Sequence, residues 1–436
     1  MTNRRRGLLL STFGLSVALA LAGCGAGSRT GAQTATTVAC SFDKPAQATT
    51  VNVLAYNSSA VDPFSNTMVA SCSHDNVTVK HDPIDFPGQV QKTTATLSSD
   101  NGSYDILETY SYVIPDLASK GKLEPLDDLF AKHADKYTLN DIDPAMVKTM
   151  SYDGKLYGLP MQAQIHVMAY RKDLLDKNGI KPPTTFSELK AAAEKIKSAE
   201  GMKYPIAFPM LASGDLATAY GAALSSLDKG LVDPSSKRPN FDTPESAKAL
   251  QALKDLMPMM DPQVTTFDQP KVQQQLYNGT AAFGWMFSGR MNDLTQQKNS
   301  KYYDKFGFSA PPAVEAGGTT FGALSVDGWS IPFNTKVDKD LLFQIMAASV
   351  SEDASNSAIP DAYPARKGLD QSKSPYAAAA DAGIANLRDP DPGPWSPPVT
   401  NATLPVIADV ITGRISIADG QAKAQAVAEK EMAAYK

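Results

Sequence analysis

Apolar and polar residues follow one another along this chain in a pattern that predicts strands and helices in turn. Val51-Asn52-Val53-Leu54-Ala55-Tyr56 reads as a first strand, Asp62-Pro63 as the N-cap and first turn of a short helix, and Val77-Thr78-Val79 as the start of a second strand. Gln89 to Ser99 fits a helix and Tyr104-Asp105-Ile106-Leu107 a third strand. This βαβαβ order is the signature of an open α/β sheet. Ligands of such sheets bind beyond the carboxyl ends of the strands, which directs attention to Tyr56 and Asn57 after the first strand and to the run from Glu108 through Tyr110 to Tyr112 after the third.

The alternation continues downstream. Thr185-Phe186-Ser187-Glu188 is a capping box opening a helix that runs toward Gly201, and Asp242-Thr243-Pro244-Glu245 opens another with Leu250, Leu253 and Met257 on one face. Pro205-Ile206-Ala207-Phe208 and Ala281-Ala282-Phe283-Gly284-Trp285 read as strands between helices, so a second α/β unit follows the first. At 436 residues a single core is stretched, and two lobes are the expected solution. The Pro-rich run from Asp389 to Pro398 reads as a long loop.

The first 24 residues change the address of the protein. Arg4, Arg5 and Arg6 precede an apolar stretch from Leu8 to Ala20, and Leu21-Ala22-Gly23-Cys24 resembles a lipobox. The apolar stretch is about 14 residues long where a membrane span needs about 20, which favours a cleaved signal peptide over residues 1–23 with a lipid on Cys24. Arg5-Arg6 also suits twin-arginine export, so the route stays open. Loss of the three arginines takes the net charge from −5 to −8, a poor balance for nucleic-acid binding. Residues 25–39 are small and polar, and 24–47 as a whole is expected to be a lipid-anchored flexible tether facing the extracytoplasmic side of the cell membrane. With Cys24 lipidated, Cys40 and Cys72 remain as an even pair in an oxidising compartment, and a disulfide between them is expected over two buried thiols. No histidine lies at ligand spacing from either, so no metal and no cofactor is expected.

One segment carries a resemblance. Tyr152-Asp153-Gly154-Lys155-Leu156-Tyr157-Gly158-Leu159-Pro160 continues to Ala169-Tyr170-Arg171-Lys172-Asp173-Leu174-Leu175 and to Pro182-Pro183-Thr184-Thr185-Phe186-Ser187-Glu188-Leu189. With weaker echoes at 277–282, 327–332 and 363–366, this resembles the extracellular solute-binding proteins of ABC importers, in the sugar-binding branch that includes maltose-binding proteins. The resemblance covers nearly all of the mature chain. It implies an α/β fold of two lobes, like the periplasmic binding proteins, with crossing hinge strands and a ligand cleft between the lobes. Lobe 1 would comprise 48–162 and 326–366, and lobe 2 163–325 and 367–436. It also implies delivery of the ligand to membrane permease subunits by a monomeric carrier.

Residue by residue, Gln164 falls where maltodextrin binders place an acid, so an amide replaces charge-assisted bonding to sugar hydroxyls. Gln162 shares its strand parity and points into the same cleft or to solvent. Trp285, beside Ser288, Trp329 and Trp395 fall where the resemblance puts the cleft, and Trp329 is the first choice for stacking on a sugar face. Asp327 and Glu108 suit hydroxyl recognition or a capping or hinge role. Arg366 suits a sugar oxygen or a structural ion pair. The candidate lining carries little positive charge, which points to a neutral sugar or sugar alcohol. A carbohydrate-acting enzyme using Asp327 and Glu108 is the rival reading, together with a scaffold lipoprotein. The chain has no G-x-S-x-G elbow, no H-E-x-x-H and no phosphate-cradling glycine motif, and the expectation is a binding protein without catalysis.

Overall fold

The computed structural model describes residues 35–386 and 393–435. The expected signal peptide, Cys24 and the start of the expected tether lie outside the described residues, as does part of the Pro-rich run. The strands are β1 (Thr49–Tyr56), β2 (Val77–Ile84), β3 (Ile106–Tyr110), β4 (Leu159–Arg171), β5 (Ile206–Ala207), β6 (Phe283–Phe287), β7 (Phe306–Ser309), β8 (Leu324–Ser330) and β9 (Tyr363–Pro364). They form one curled sheet in the order β2-β1-β3-β8-β4-β6-β5, with β7 and β9 also pairing to β4. Strands β1 to β3 are parallel, joined by helices α1 (Asp62–Cys72) and α2 (Phe86–Ser98), as the βαβαβ pattern requires.

The fold is two-lobed, and β4 is the reason. Its 13 residues exceed what one lobe needs: Leu159 to Ile165 pair with β8, whereas His166 to Tyr170 pair with β6. Two separate cores flank this strand. One gathers Val51, Phe64, Met161, Val326, Trp329 and Phe343, and the other gathers Ala163, Ile165, Phe208, Trp285, Phe321 and Val410. Both strands therefore change cores within a few residues of one another. A bulge between Asp327 and Gly328 sits at this crossing, and a Cβ on Gly328 would come within 2.5 Å of the Leu159 carbonyl oxygen. Glycine is required there by backbone proximity.

Three local results refine the sequence reading. Helix α3 (Phe186–Glu200) has the expected capping box: Glu188 N donates to Thr185 Oγ1 at 3.2 Å, Thr184 N donates to the Glu188 carboxylate at 2.7 Å, and Gly201 ends the helix at φ 65°. The third strand runs to Tyr110, because β8 pairs with it from Leu107 to Tyr110. Glu108 thus lies inside a strand and not beyond its end. Finally, the stretch expected to be a free tether is packed from Val38 onward. Val38 and Cys40 are buried, Val38 N donates to Ser71 Oγ, Phe42 stacks on His74, and the Cys40 and Cys72 sulfurs are bonded, so covalent and apolar contacts override its polar composition.

Candidate functional site

The first wall of the interlobe cleft is built at the carboxyl ends of β1 and β3. Tyr56 closes β1, and Asn57 is held by its backbone N–H on the Ile84 carbonyl at 2.8 Å. Phe86, opening α2, meets Tyr56 and Tyr110 edge-on at ring distances of 6.0 and 5.6 Å, and Tyr110 stacks on Tyr112 at 5.7 Å. Phe86 and Tyr112 keep 40 % and 46 % of their surface exposed, unusual for large aromatics. The result is an aromatic shelf of four rings. Desolvation of its hydroxyl and the negative charges of Asp327, Glu108 and, from the other lobe, Asp215 push the Tyr112 phenol up.

The second wall is polar. Asp215 opens helix α4 (Asp215–Ser225), Asp268 caps helix α5 (Gln269–Asn278) by accepting from Lys271 N at 2.9 Å, and Phe287, Ser288, Gly289 and Arg290 follow β6. Gln269 ties these segments together, since its side-chain oxygen accepts from Phe287 N at 3.0 Å and its amide favours the charged form of the Asp215 carboxyl. Burial and the nearby Asp268 push the Asp215 carboxyl up to about 6, while Arg290 pulls it the other way.

Beneath the walls lie the crossing strands. Gln162 is fully buried and donates to Asp327 at 3.2 Å, while half-buried Gln164 accepts from Gly289 N at 3.2 Å. Close to this floor the walls touch: Arg290 donates to the Tyr56 hydroxyl, and Ser59 Oγ donates to the Gly289 carbonyl and to Asp293 at 3.2 and 3.1 Å. A Cβ on Gly289 would meet Ala60 at 2.6 Å and the Gln164 amide at 3.0 Å. The absence of a side chain there lets the second lobe approach α1.

Comparison with known proteins places this architecture. Residues 73–354 match the bacterial extracellular solute-binding protein family, about two thirds of the chain. The chain belongs to this family. Among relatives of this solute-binding protein is the mannitol-binding protein of Pseudomonas aeruginosa, 25 % identical over 270 residues, which are 59 % of this chain and 58 % of the relative. The chain spans between 23 and 64 % of the length of curated relatives it matches. Among solved structures, the Agrobacterium vitis solute-binding protein with bound D-mannitol superposes with a TM-score of 0.75 at 23 % identity, covering 88 % of this chain and 99 % of the other. The maltose-bound MalE3 of T. maritima reaches 0.79 at 18 % identity, covering 89 % of this chain and all of the other. These likenesses concern the fold.

Within this solute-binding protein, Tyr56, Asn57, Tyr110, Gln164 and Ser288 are brought to the cleft region, but Ser288 is buried and accepts from Ile165 N through its hydroxyl at 3.2 Å. Glu108, Gln162 and Asp327 lie directly below it, at 1, 0 and 3 % exposure. The tryptophans are elsewhere. Trp329 is fully buried in the first core, Trp285 is fully buried between His166 at 3.8 Å and Phe321 at 4.4 Å with its indole N–H on the Phe321 carbonyl, and Trp395 packs in the second core. Their large apolar area is consumed by core packing, which corrects the expectation of a stacking tryptophan. Arg366 is also structural: its guanidinium donates to the carbonyls of Val350, Thr138 and Tyr137 at 2.6 to 2.9 Å. Tyr112 closes the run past the third strand to which the sequence directs attention, whereas Phe86, Asp215, Gln269 and Arg290 were not anticipated. Phe86 and Tyr112 carried a signal, being large aromatics just past strand ends; the other three come from separated segments with no local motif.

Proposed function

We propose that this protein captures a small neutral polyhydroxylated ligand, a sugar alcohol or a single sugar ring, between its lobes and presents it to the permease of an ABC importer. The observation that carries this reading is the opposition of Tyr112 on an aromatic shelf to Asp215 on a polar wall. Aromatic faces cover the C–H surface of a carbohydrate, and carboxylates and amides bond its hydroxyls. Asp215 and Asp268 on one wall disfavour an anionic ligand, because only Arg290 offsets them in the electrostatics of Asp215. The contacts of Ser59 with Asp293 and of Tyr56 with Arg290 shorten the cleft near its floor, which favours one ring or a linear polyol over an oligosaccharide. Mannitol recognition by a relative, and mannitol and ribitol in two structures of this fold, agree with that size.

In this proposal Tyr56, Asn57, Phe86, Tyr110 and Tyr112 form the ligand surface of lobe 1, residues 48–162 and 326–366. Gln164, Asp215, Gln269 and Arg290 form that of lobe 2, residues 163–325 and 367–436. The protein works as a monomer, tethered by a lipid on Cys24 after removal of residues 1–23, and it performs no catalysis. Titration calorimetry with D-mannitol, ribitol, D-glucose and maltose, followed by analysis of the recovered ligand, tests this. Saturable one-to-one binding of a small polyol or sugar recovered unchanged is expected. Turnover of the ligand, or binding of maltose with no response to the small compounds, overturns it.

A further inference from the structure

Two carboxylates lie beneath the cleft with no cation between them. Glu108 on β3 and Asp327 on β8 occupy neighbouring antiparallel strands, where Asp327 is the register partner of Tyr110 and Trp329 that of Glu108. Glu108 Oε2 accepts from Tyr56 N at 2.6 Å and Asp327 Oδ2 from Gln162 Nε2 at 3.2 Å. Glu108 Oε1 and Gln162 Oε1 are buried acceptors with no donor. The Tyr110 hydroxyl and the Gln164 amide also act on Glu108 and Asp327, yet Glu108 Oε1 and Gln162 Oε1 stay without a donor. Each surplus buried acceptor costs about 1–3 kcal/mol unless a proton is supplied.

The surrounding elements supply none as a charge. From α1 the group facing Glu108 is Asp62, from β1 Tyr56, from β3 Tyr110, and beyond it Tyr112; from β4 Gln162 and Gln164 face Asp327. Helix α2 contributes Gln89, whose Nε2 donates to the Glu108 carbonyl and whose Oε1 accepts from the Tyr110 hydroxyl. No lysine or arginine of the described residues bonds either carboxylate, and Arg290 across the gap is engaged with Tyr56.

We propose that Glu108 and Asp327 hold one shared proton in the folded protein and so act as a positioning pair that fixes the Tyr56 end of the aromatic shelf against the crossing strands. The added O–H gives one of the two unpaired acceptors its donor. Burial and the charge of Asp327 hold Glu108 well above the usual carboxylate range, and burial brings Asp327 to about 7 against the pull of the Gln164 and Gln162 amides. Because Tyr56 N hangs on Glu108, losing the proton places two adjacent negative charges under the shelf and loosens it. Ligand affinity then falls as pH rises. The last step rests on the cleft reading; the shared proton does not.

The test begins without ligand. The folded state keeps a proton that the unfolded chain releases above pH about 4, so stability declines as pH rises from there through about 7. The thermal midpoint of the parent, scanned in this range, is expected to drop by a few degrees, and Glu108→Gln and Asp327→Asn to flatten the drop. Carboxyl carbon NMR of the parent, labelled at Asp and Glu and assigned by residue, reads the same proton even if a variant fails to fold: a Glu108 or Asp327 signal still protonated at pH 6 supports the pair, and both of these carboxyls titrating below pH 5 overturn it. With the ligand found by calorimetry, the parent should lose affinity from pH 6 to 8.5 and Glu108→Gln should lose several-fold less. Parallel pH profiles of parent and variant overturn the positioning role. Failure of every sugar to bind, with the retained proton observed, removes the cleft reading alone.

Discussion

Trp329 and Tyr112 are both large aromatics of the first lobe, and they have opposite fates. Trp329 lies inside β8, paired on both sides by β3 and β4, and is fully buried. Tyr112 lies two residues past the end of β3, where no strand covers it, and remains 46 % exposed. The difference teaches that aromatic size alone does not identify a carbohydrate platform. A ring inside a paired strand is claimed by the core on one face of the sheet, whereas a ring just beyond a strand end is left for a ligand.

Substitutions break this comparison in order of size. Trp329→Ala should destabilise the protein by about 3–5 kcal/mol through the cavity it leaves, measured by denaturant unfolding, with little direct effect on affinity in the population that stays folded. Arg366→Ala removes guanidinium bonds to three carbonyls and should cost about 3 kcal/mol or more in the same assay, because bonds to charged groups contribute about 1.5–3 kcal/mol each. Tyr112→Ala should behave in the opposite way. It should leave the unfolding curve nearly unchanged and weaken ligand binding by about 1.5–3 kcal/mol, roughly 10- to 150-fold in calorimetry.

Smaller effects sharpen the picture of the opposite wall. Gly289→Ala should force the Ser59 contact apart and reduce affinity several-fold by keeping the lobes from closing, which small-angle scattering with and without ligand would detect as a wider liganded form. Asp215→Asn should cost about 1 kcal/mol of affinity, the difference between a charge-assisted and a neutral hydrogen bond. For the parent, protonation of Asp215 near pH 6 should reduce affinity as the pH falls through that value, and Asp215→Asn should lose this acid limb.

Much of the scaffold is legible from the sequence. The βαβαβ start, the capping box at Thr185, the N-cap at Thr243 and the crossing segment around Gln162 and Gln164 are short-range patterns that the fold retains. The end of β3 is not legible, because the pairing that carries it to Tyr110 comes from β8, more than 200 residues later. The same distance hides the polar wall. Asp215, Gln269 and Arg290 sit on three segments that only the second lobe's packing brings together, and nothing near any of them in sequence marks a site. The Cys40–Cys72 bond is legible from the even cysteine pair, but the burial of Val38 beside it is not, because a polar, small-residue composition predicts freedom.

The central claim is that the ligand lies between the aromatic shelf and the polar wall and not against a tryptophan. Calorimetric affinity for the polyol or sugar identified by screening, compared between Tyr112→Ala and Trp329→Phe in protein confirmed to be folded, tests it most directly. The account predicts at least a tenfold loss for Tyr112→Ala and parental affinity for Trp329→Phe. Parental affinity in Tyr112→Ala together with a large loss in Trp329→Phe would contradict it.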